Sequence, residues 1–290
     1  MAVSSITHRA ALMTAASLVA ALCSSCTSPV VDITFLDVGY GDAIVVRSDA
    51  TTLVIDGGYG RDESDRGRVT LLPWLASNGV TRVDAVFCTH SHPDHVGGLC
   101  DLLAAVPVGA VYRPVWRQTN AYTVVFDELV RARGIPCHVV AAGTTATWDD
   151  IAVRVISPPP GGADVMPPPV DLNATSMALD LECGGARVLL LADITTPVQQ
   201  QLLAQSNDWR ADVLKIPHHA ATDAFCPEFI AAVNPTHAVL SIGPNPYRNP
   251  ADDVIAAYQA CARVWRTDRD GHITLQCRGH HRVTPLMAGP

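Results

Sequence analysis

The feature that most constrains the fold is the run THSHPDHVGG at residues 89–98, which places three histidines and one aspartate within six consecutive positions. It follows residues 83–88, a short, apolar and β-branched segment that predicts a buried strand. The histidines are therefore expected in the turn beyond the carboxyl end of that strand, where Gly97 and Gly98 allow the next helix to approach closely. Such a cluster of donors is typical of a metal site.

The spacing of this motif predicts that its donors are divided between two neighbouring metal positions. Alternation places His90 and His92 on the same side. Asp94 and His95 open the next helix and can turn towards a second position about 3.5–4 Å away, as two-metal hydrolases require. Zinc accepts imidazole and carboxylate together, and a water molecule between two cations ionises near neutral pH. A solvated histidine-rich loop is the alternative, but a chance match to this pattern is improbable.

The pattern HxHxDH resembles the hallmark of the metallo-β-lactamase superfamily. Four further segments resemble the hydrolase domain of the ComEC family of DNA-uptake proteins, in matching order and spacing from Val31 to Cys277. They are FLDVGYGD at 35–42, DGG at 56–58, LLLAD at 189–193 and DVLKIPHH at 212–219. The resemblance implies an α/β fold, a four-layer αββα sandwich of the metallo-β-lactamase type. Strands and helices are indeed expected to alternate along the chain.

The resemblance also implies roles for single residues. Asp193 is expected to bridge the two metals, although an ordinary helix N-cap is the alternative for this residue taken alone. Either His218 or His219 is expected to close the second metal site, and the other to donate a proton or stabilise an oxyanion; the sequence leaves this choice open. Asp56 is expected to orient a ligand histidine or its loop, and Asp37 to contact substrate or support the ligands.

The expected ligands come from two motifs and one aspartate. The predicted metal ligands are His90, His92, Asp94, His95, Asp193, His218 and His219, and the predicted catalytic groups are Asp94, Asp193, His218 and His219. Two divalent ions are expected, with zinc favoured over manganese, although mixed nitrogen and oxygen ligands suit both metals.

The chain departs from the family pattern at three places. Residues 171–176 lack the third histidine that many superfamily members place on the first metal. Asn173 and Ser176 are expected to face the site there, as a weak ligand and a substrate contact. Asn249 stands where a histidine is expected near the substrate, and Tyr40 replaces the usual glutamine. These changes leave the metal site intact and weaken the case for nuclease activity.

The charge distribution bears on the substrate. The formal net charge is −8, and Lys215 is the single lysine. The densest arginines, at positions 61, 66 and 68, are interleaved with acidic residues. Long nucleic acids are held largely by cationic contacts to phosphate, so strong binding of duplex DNA is not expected. A small phosphoester or a nucleic acid end is the favoured substrate.

Residues 1–30 are expected to be a signal peptide with a short linker. Arg9 precedes the mostly apolar segment 10–22, which is shorter than the about 20 residues that span a bilayer. Cys26 resembles the first residue of a bacterial lipoprotein, although Cys23 stands where leucine is usual. Lipidation of Cys26 with membrane attachment, cleavage without a lipid, and an uncleaved anchor remain alternatives. All three predict an exported, periplasmic or extracytoplasmic protein, with residues 31–290 forming a single hydrolase domain.

Two functional hypotheses follow. The first is an exported metal-dependent hydrolase with a binuclear site, which cleaves phosphodiester bonds in nucleic acid ends or envelope phosphoesters through metal-activated water. A β-lactam substrate is less expected because the third histidine is missing. The second is a non-catalytic envelope protein that retains the fold for binding or assembly, motivated by Asn173, Tyr40 and Asn249. The intact metal motif favours the first hypothesis.

Overall fold

The computed structural model describes residues 29–60, 70–161, 171–205, 208–279 and 281–286. The predicted signal peptide up to residue 28, including Cys26, lies outside these ranges, as do the arginines at 61, 66 and 68. In the ranges that are described, no helix combines the length and the apolar character needed to cross a membrane.

The described chain folds into strands and helices that alternate as the sequence predicts. The strands are β1 (Val30–Phe35), β2 (Ile44–Arg47), β3 (Thr52–Ile55), β4 (Val83–Phe87), β5 (Val108–Arg113), β6 (Cys137–Val139), β7 (Thr145–Trp148), β8 (Ile151–Ser157), β9 (Ala178–Cys183), β10 (Ala186–Leu190), β11 (Val213–Lys215), β12 (His237–Leu240), β13 (Arg263–Arg266), β14 (Ile273–Arg278) and β15 (Arg282–Leu286). The α-helices are α1 (Leu72–Ser77), α2 (Pro93–Ala105), α3 (Ala121–Ala132), α4 (Thr196–Leu203), α5 (Pro227–Val233), α6 (Asp252–Gln259) and α7 (Thr267–Asp270).

The strands form two sheets that face each other. Within the described ranges, the first sheet has the order β15-β14-β1-β2-β3-β4-β5-β6, and the second has the order β13-β12-β11-β10-β9-β8-β7. A central core of apolar side chains from both sheets lies between them. Helices α1 to α3 pack on the outer side of the first sheet, and α4 to α6 pack on the outer side of the second. These layers form the predicted αββα sandwich.

Strand β10 shows why these sequences form a buried sheet. Val188 and Leu190 belong to the central core between the sheets, whereas Leu189 and Leu191 pack against the outer helices. A strand that is covered on both faces needs such a continuous apolar run rather than polar alternation. The same pattern at β4 supports the buried strand that precedes the histidine motif.

The sequence pattern did not identify β7, β15 or α7. Strands β7 and β15 each lie at an edge of a sheet, and their side chains are exposed or half-buried. An edge strand needs little apolar surface and tolerates a proline such as Pro285. Helix α7 has only one turn, which is too short to show a helical period.

The candidate ligands lie beyond the carboxyl ends of β4, β10 and β11, and Asp56 follows β3. Loops from the two sheets meet there, because Met177 N donates a hydrogen bond to Thr89 O at 2.8 Å. Helix α2 packs closely on the loop that follows β3, since a Cβ on Gly97 would lie 2.4 Å from Gly60 N. The predicted close approach at this glycine is therefore present. It brings the histidine motif against Asp56.

Candidate metal centre

Asp56 holds the histidine motif in place through hydrogen bonds. Its side chain is fully buried, and its carboxylate accepts hydrogen bonds from Thr89 N at 2.8 Å, Thr89 Oγ1 at 2.6 Å and His95 Nδ1 at 2.8 Å. Thr89 Oγ1 is also 3.0 Å from His90 Nδ1. Because the hydroxyl donates to Asp56, it accepts from His90 Nδ1. In both histidines Nδ1 is thus occupied by a hydrogen bond, which directs Nε2 towards the position of a metal.

One group of candidate ligands contains residues from both halves of the chain. Its members are Asp94, His95, Asp193 and His219, whose donor atoms all lie within 4.8 Å of one another. His95 Nε2 is 3.2 Å from Asp193 Oδ2, and His219 Nε2 is 3.6 Å from both Asp94 Oδ2 and Asp193 Oδ2. His219 Nδ1 donates to Ser241 O at 2.8 Å, which again leaves Nε2 for a metal.

A second group shares Asp193 with the first. It contains His90, His92 and Asp193. His90 Nε2 lies 3.1 Å from His92 Nδ1 and 3.8 Å from Asp193 Oδ2. The same carboxylate oxygen therefore approaches histidines of both groups, which is the placement expected of a residue that bridges two ions.

The donor atoms fit divalent cations. His219 Nε2 is buried and has no hydrogen-bond partner within the described residues. A buried polar atom without a partner costs about 1–3 kcal/mol, and bound metal would remove that penalty. Imidazole nitrogens together with carboxylate oxygens are ligands that zinc accepts.

The charges in this region favour a bound cation. Burial would raise the pKa of Asp94 and Asp193, but His95 and His219 hold both pKa values low. Burial and the neighbouring His95 lower the pKa of His90, so these three groups are in their metal-binding forms. Burial would also lower the pKa of His95, yet Asp193, Asp94 and Asp56 raise it well above its ordinary value. In the absence of a metal, a proton on His95 offsets part of the negative charge that a cation would otherwise neutralise.

His218 and His219 point to different surroundings. His218, His219 and Ala220 have positive φ angles of 45°, 51° and 59°, a conformation that L-residues rarely adopt and that often occurs at functional sites. His219 is fully buried and belongs to the first ligand group. His218 Nδ1 donates to Asp223 Oδ1 at 2.7 Å, and its Nε2 is 3.0 Å from Asn173 Nδ2. The structure thus assigns the two histidines to separate environments, a choice that the sequence left open.

The electrostatic surroundings of His218 suit a proton donor. Burial would lower the pKa of His218, but the hydrogen bond to Asp223 and the nearby Asp193 raise it above its ordinary value. The ring belongs to a cavity of about 630 Å³ in front of the ligand groups. The cavity is lined by Tyr40, Tyr59, His92, Pro93, Asp94, Asn173, Asp193, His218, Ala221, Thr222, Asp223, Tyr247 and Asn249.

The family profile for the metallo-beta-lactamase superfamily matches residues 36–243. The chain belongs to this superfamily. The match spans the histidine motif, Asp193 and the His218–His219 pair, and it confirms the resemblance inferred from the motifs.

Curated relatives in the superfamily narrow the resemblance to the ComEC type. ComE operon protein 3 of Bacillus subtilis is 28% identical over 280 residues, which cover 91% of this chain and 35% of that protein. Competence protein ComA of Neisseria gonorrhoeae is 26% identical over 242 residues, which cover 82% of this chain and 31% of that protein. The chain therefore spans about a third of the length of these relatives.

A solved superfamily structure has the same fold. The metallo-beta-lactamase fold protein YhfI from Bacillus subtilis matches with a TM-score of 0.57 at 14% identity, over 84% of this chain and 99% of that chain. This likeness confirms the predicted sandwich of the metallo-β-lactamase type.

The predicted residues outside the ligand groups occupy several positions. Asn173 and Asn249 line the cavity, and the Asn173 Oδ1 atom is buried without a hydrogen-bond partner among the described residues. Its role as a weak ligand stays a prediction. Ser176 is buried and does not line the cavity. Asp37 Oδ1 accepts from Gly39 N at 3.1 Å, and Asp37 lines an adjoining cavity of about 520 Å³ that shares Asn249.

Sequence reasoning missed five residues of this region. Asp42 and Lys215 form an ion pair behind Asp193, Asp223 bonds His218, and Tyr59 and Tyr247 line the cavity. Two of them carried a signal, since Asp42 ends the FLDVGYGD segment and Lys215 is the only lysine. Tyr247 begins the segment in which Asn249 replaces an expected histidine, and Tyr59 and Asp223 lie outside the motifs.

Replacing Asp56 with asparagine should weaken metal binding about 10- to 100-fold, the range expected when a group that orients a ligand histidine is lost. One amide oxygen cannot accept from Thr89 and His95 as the carboxylate does. Zinc affinity, measured by competition with a chromophoric chelator, tests this prediction.

Asp212→Asn is the matched control for Asp56→Asn. The Asp212 carboxylate also accepts from a backbone amide, Arg187 N, and from a histidine, His281 Nδ1, both at 2.8 Å. Asp212 belongs to neither ligand group, so the zinc affinity of Asp212→Asn should equal that of the parent protein. Unchanged affinity in Asp56→Asn would show that His95 does not need Asp56 for its orientation.

Proposed function

We propose that this chain is an exported metal-dependent hydrolase that uses two divalent ions to cleave phosphodiester bonds. The observation that carries the proposal is the position of Asp193. Its Oδ2 atom lies 3.2 Å from His95 Nε2, 3.6 Å from His219 Nε2 and 3.8 Å from His90 Nε2. One carboxylate is therefore available to both ligand groups, as a two-metal site requires.

The two ligand groups have different compositions. His90, His92 and Asp193 would hold one ion, and Asp94, His95, Asp193 and His219 would hold the other. Two bound ions would lower the pKa of a water molecule between them and would offset the negative charge that develops on the phosphoryl group. The predominance of imidazole favours zinc over manganese.

The remaining polar groups of the cavity would protonate the leaving group. His218 is outside the ligand groups and lines the cavity, so it can deliver a proton to the departing oxygen. Asp223 fixes the ring by accepting from Nδ1. A protonated Nε2 can only donate, so Asn173, whose Nδ2 lies 3.0 Å away, would present its side-chain oxygen to that nitrogen.

The form of the substrate follows from charge and from the relatives. A chain with a formal net charge of −8 does not favour a sequence-independent grip on duplex DNA. We therefore assign it a nucleic acid end or a small envelope phosphoester. Competence protein ComA is named for competence, which supports the nucleic acid alternative. A lipid on Cys26 would attach this activity to an extracytoplasmic membrane surface.

A second function is supported by one specific observation. Asn249 and Tyr40, two of the residues that depart from the family pattern, are hydrogen-bonded to each other, with Asn249 Nδ2 donating to Tyr40 Oη at 3.1 Å. Tyr40 also packs on His219, with a distance of 4.3 Å between ring centroids. A cavity remodelled in this way could serve an envelope protein that binds its ligand without cleaving it.

Turnover and metal content together test the proposed function. The parent protein should bind up to two divalent ions and hydrolyse bis(p-nitrophenyl) phosphate. Asp193→Ala should lose metal and turnover, because the bridging carboxylate is absent. Asp193→Asn should keep at most one ion with little activity, since the bridge needs a full charge. Elemental analysis and release of p-nitrophenolate are the measurements.

The outcomes separate the two functions. A parent protein that binds two ions and turns over no phosphodiester supports the binding function. A parent that binds no transition metal after exposure to excess zinc or manganese contradicts the metallohydrolase altogether. Near-parental rates in Asp193→Ala would contradict the assignment of the bridge.

The two adjacent histidines should fail differently when each is replaced by alanine. His219→Ala should weaken metal binding about 10- to 100-fold or more, because it removes a ligand rather than a neighbour of a ligand. His218→Ala should keep its metal, and its rate of hydrolysis should fall about 10²- to 10⁴-fold. The fall in rate of His218→Ala should be smaller for p-nitrophenyl esters, whose leaving group needs no proton, than for esters whose leaving group must be protonated. Equal metal content in the two variants, together with equal falls in rate on both kinds of ester, would contradict these separate roles of His218 and His219.

Tyr247 offers a test of the substrate class. Its side chain is 61% exposed at the edge of the cavity, and its ring lies 5.3 Å from Tyr40. The loop is braced because Asn245 Oδ1 accepts from both Tyr247 N and Asn249 N. Stacking of one base on an aromatic ring is worth about 1–3 kcal/mol. Tyr247→Ala should therefore lower kcat/KM for thymidine 5′-(p-nitrophenyl phosphate) about 5- to 150-fold.

The controls for Tyr247→Ala use a smaller substrate and a ring-preserving variant. Methyl p-nitrophenyl phosphate lacks a base, so Tyr247→Ala should hydrolyse it at the parental rate. Tyr247→Phe should retain parental activity on both substrates. An equal loss on both substrates would contradict a stacking role, and a selective loss on p-nitrophenyl phosphorylcholine would favour an envelope ester.

A further inference from the structure

Lys215 is a buried charge that the proposed reaction does not use. It is the only lysine of the chain, it ends strand β11, and its side chain is fully buried. A buried ammonium is tolerated only when it is paired and hydrogen-bonded. Its partners therefore indicate what it does.

The Lys215 ammonium contacts three groups around the metal centre. Its Nζ atom lies 2.6 Å from Asp42 Oδ2 and donates to Ala192 O at 3.1 Å. It is also 3.7 Å from Asp193 Oδ1, the carboxylate oxygen that has no hydrogen-bond partner among the described residues. Lys215 thus lies next to the oxygen of Asp193 that is not shared with the histidines.

Asp42 connects this ammonium to the loops that carry other candidate ligands. Its N–H donates to Asp94 O at 3.2 Å, and its carbonyl oxygen accepts from Gly58 N at 2.7 Å. The contact with Asp94 is tight, because a Cβ on Gly41 would lie 2.3 Å from Asp94 O. The ion pair between Lys215 and Asp42 therefore ties strand β11 to the loop after β3 and to the start of α2.

Ala192 explains how the same ammonium can position Asp193. Ala192 has a φ angle of 48°, which is unfavourable for a residue with a side chain. Its carbonyl oxygen accepts from Lys215 Nζ and from His218 N at 3.0 Å. These two hydrogen bonds hold the strained turn from which the Asp193 side chain emerges.

The geometry points to Lys215 as a positioning residue that acts as a fixed internal cation: it neutralises Asp42 and holds the Ala192–Asp193 turn so that Asp193 Oδ2 faces both ligand groups. Asp42, Asp56 and His95 are themselves close enough to resemble a third cation site, and the ammonium of Lys215 supplies positive charge there. The inference rests on the metal site of the proposed function.

A double substitution separates positioning from folding. Lys215→Met together with Asp42→Asn removes both charges and nearly preserves the shape of the pair, so no buried charge is left unpaired. This variant should keep its denaturant midpoint close to that of the parent and bind zinc about 10- to 100-fold less tightly. Calorimetric zinc titration and urea unfolding are the measurements.

Arg187→Met together with Asp180→Asn is the matched control. Arg187 Nε and Nη2 donate to the two oxygens of Asp180 at 2.9 and 3.0 Å, and neither residue belongs to a candidate ligand group. Zinc binding in this control should equal that of the parent. A Lys215/Asp42 double variant that binds two ions with parental affinity would overturn the inference.

The parent chain allows a second measurement that needs no substitution. Because Lys215 is the only lysine, selective ¹⁵Nζ labelling produces a single side-chain signal. This signal should shift as zinc is added and reach its final position when the sites are saturated. A signal that stays in place while zinc binds would overturn the inference, even if the double variant failed to fold. A parent that binds no zinc would instead contradict the proposed function, and with it this role of Lys215.

Discussion

The site depends on the burial of four carboxylates at one end of the sandwich. They are Asp42, Asp56, Asp94 and Asp193, each at most 7% exposed. A buried charge without compensation costs several kcal/mol, so this end of the molecule requires positive charge. Lys215 contributes one positive charge. The remaining negative charge makes the region suitable for divalent cations.

Both sheets contribute charged residues to this region. Asp42, Asp56 and Asp94 lie next to strands of the first sheet, whereas Asp193 and Lys215 belong to the second. The backbone bond from Met177 N to Thr89 O joins the loops of the two halves. A lateral shift of one sheet against the other would therefore separate the acids from their partners. The apolar core between the sheets fixes the distances on which the chemistry depends.

The sequence predicted the parts of this arrangement that are local. His90, His92, Asp94 and His95 follow one strand and open one helix, so their spacing alone determines which donors can meet. The order of strands and helices was also predictable, because buried strands and amphipathic helices carry distinct periods. The edge strands were missed because they need little apolar surface. Asp193 was placed by family resemblance rather than by spacing.

The sequence could not predict features that depend on tertiary contacts or on unusual backbone angles. The pairing of Lys215 with Asp42 joins residues of different sheets, and no periodic pattern connects them. Asp223 becomes a partner of His218 only because a short turn returns the chain to the ring. The choice between His218 and His219 depends on φ angles that the residues Pro217 to Ala220 do not signal.

The left-handed backbone at 218–220 has a consequence for how this protein can vary. In a regular strand, neighbouring side chains alternate between two faces, and a helix separates them by a fixed rotation. Here neither rule applies, and one peptide bond divides the ring that contacts Asn173 from the ring that contacts Ser241. An insertion or deletion of one residue in this turn would therefore separate at least one of the two rings from its partner. The length of the chain between Lys215 and Asp223 should therefore be fixed, because both residues hold partners across this turn.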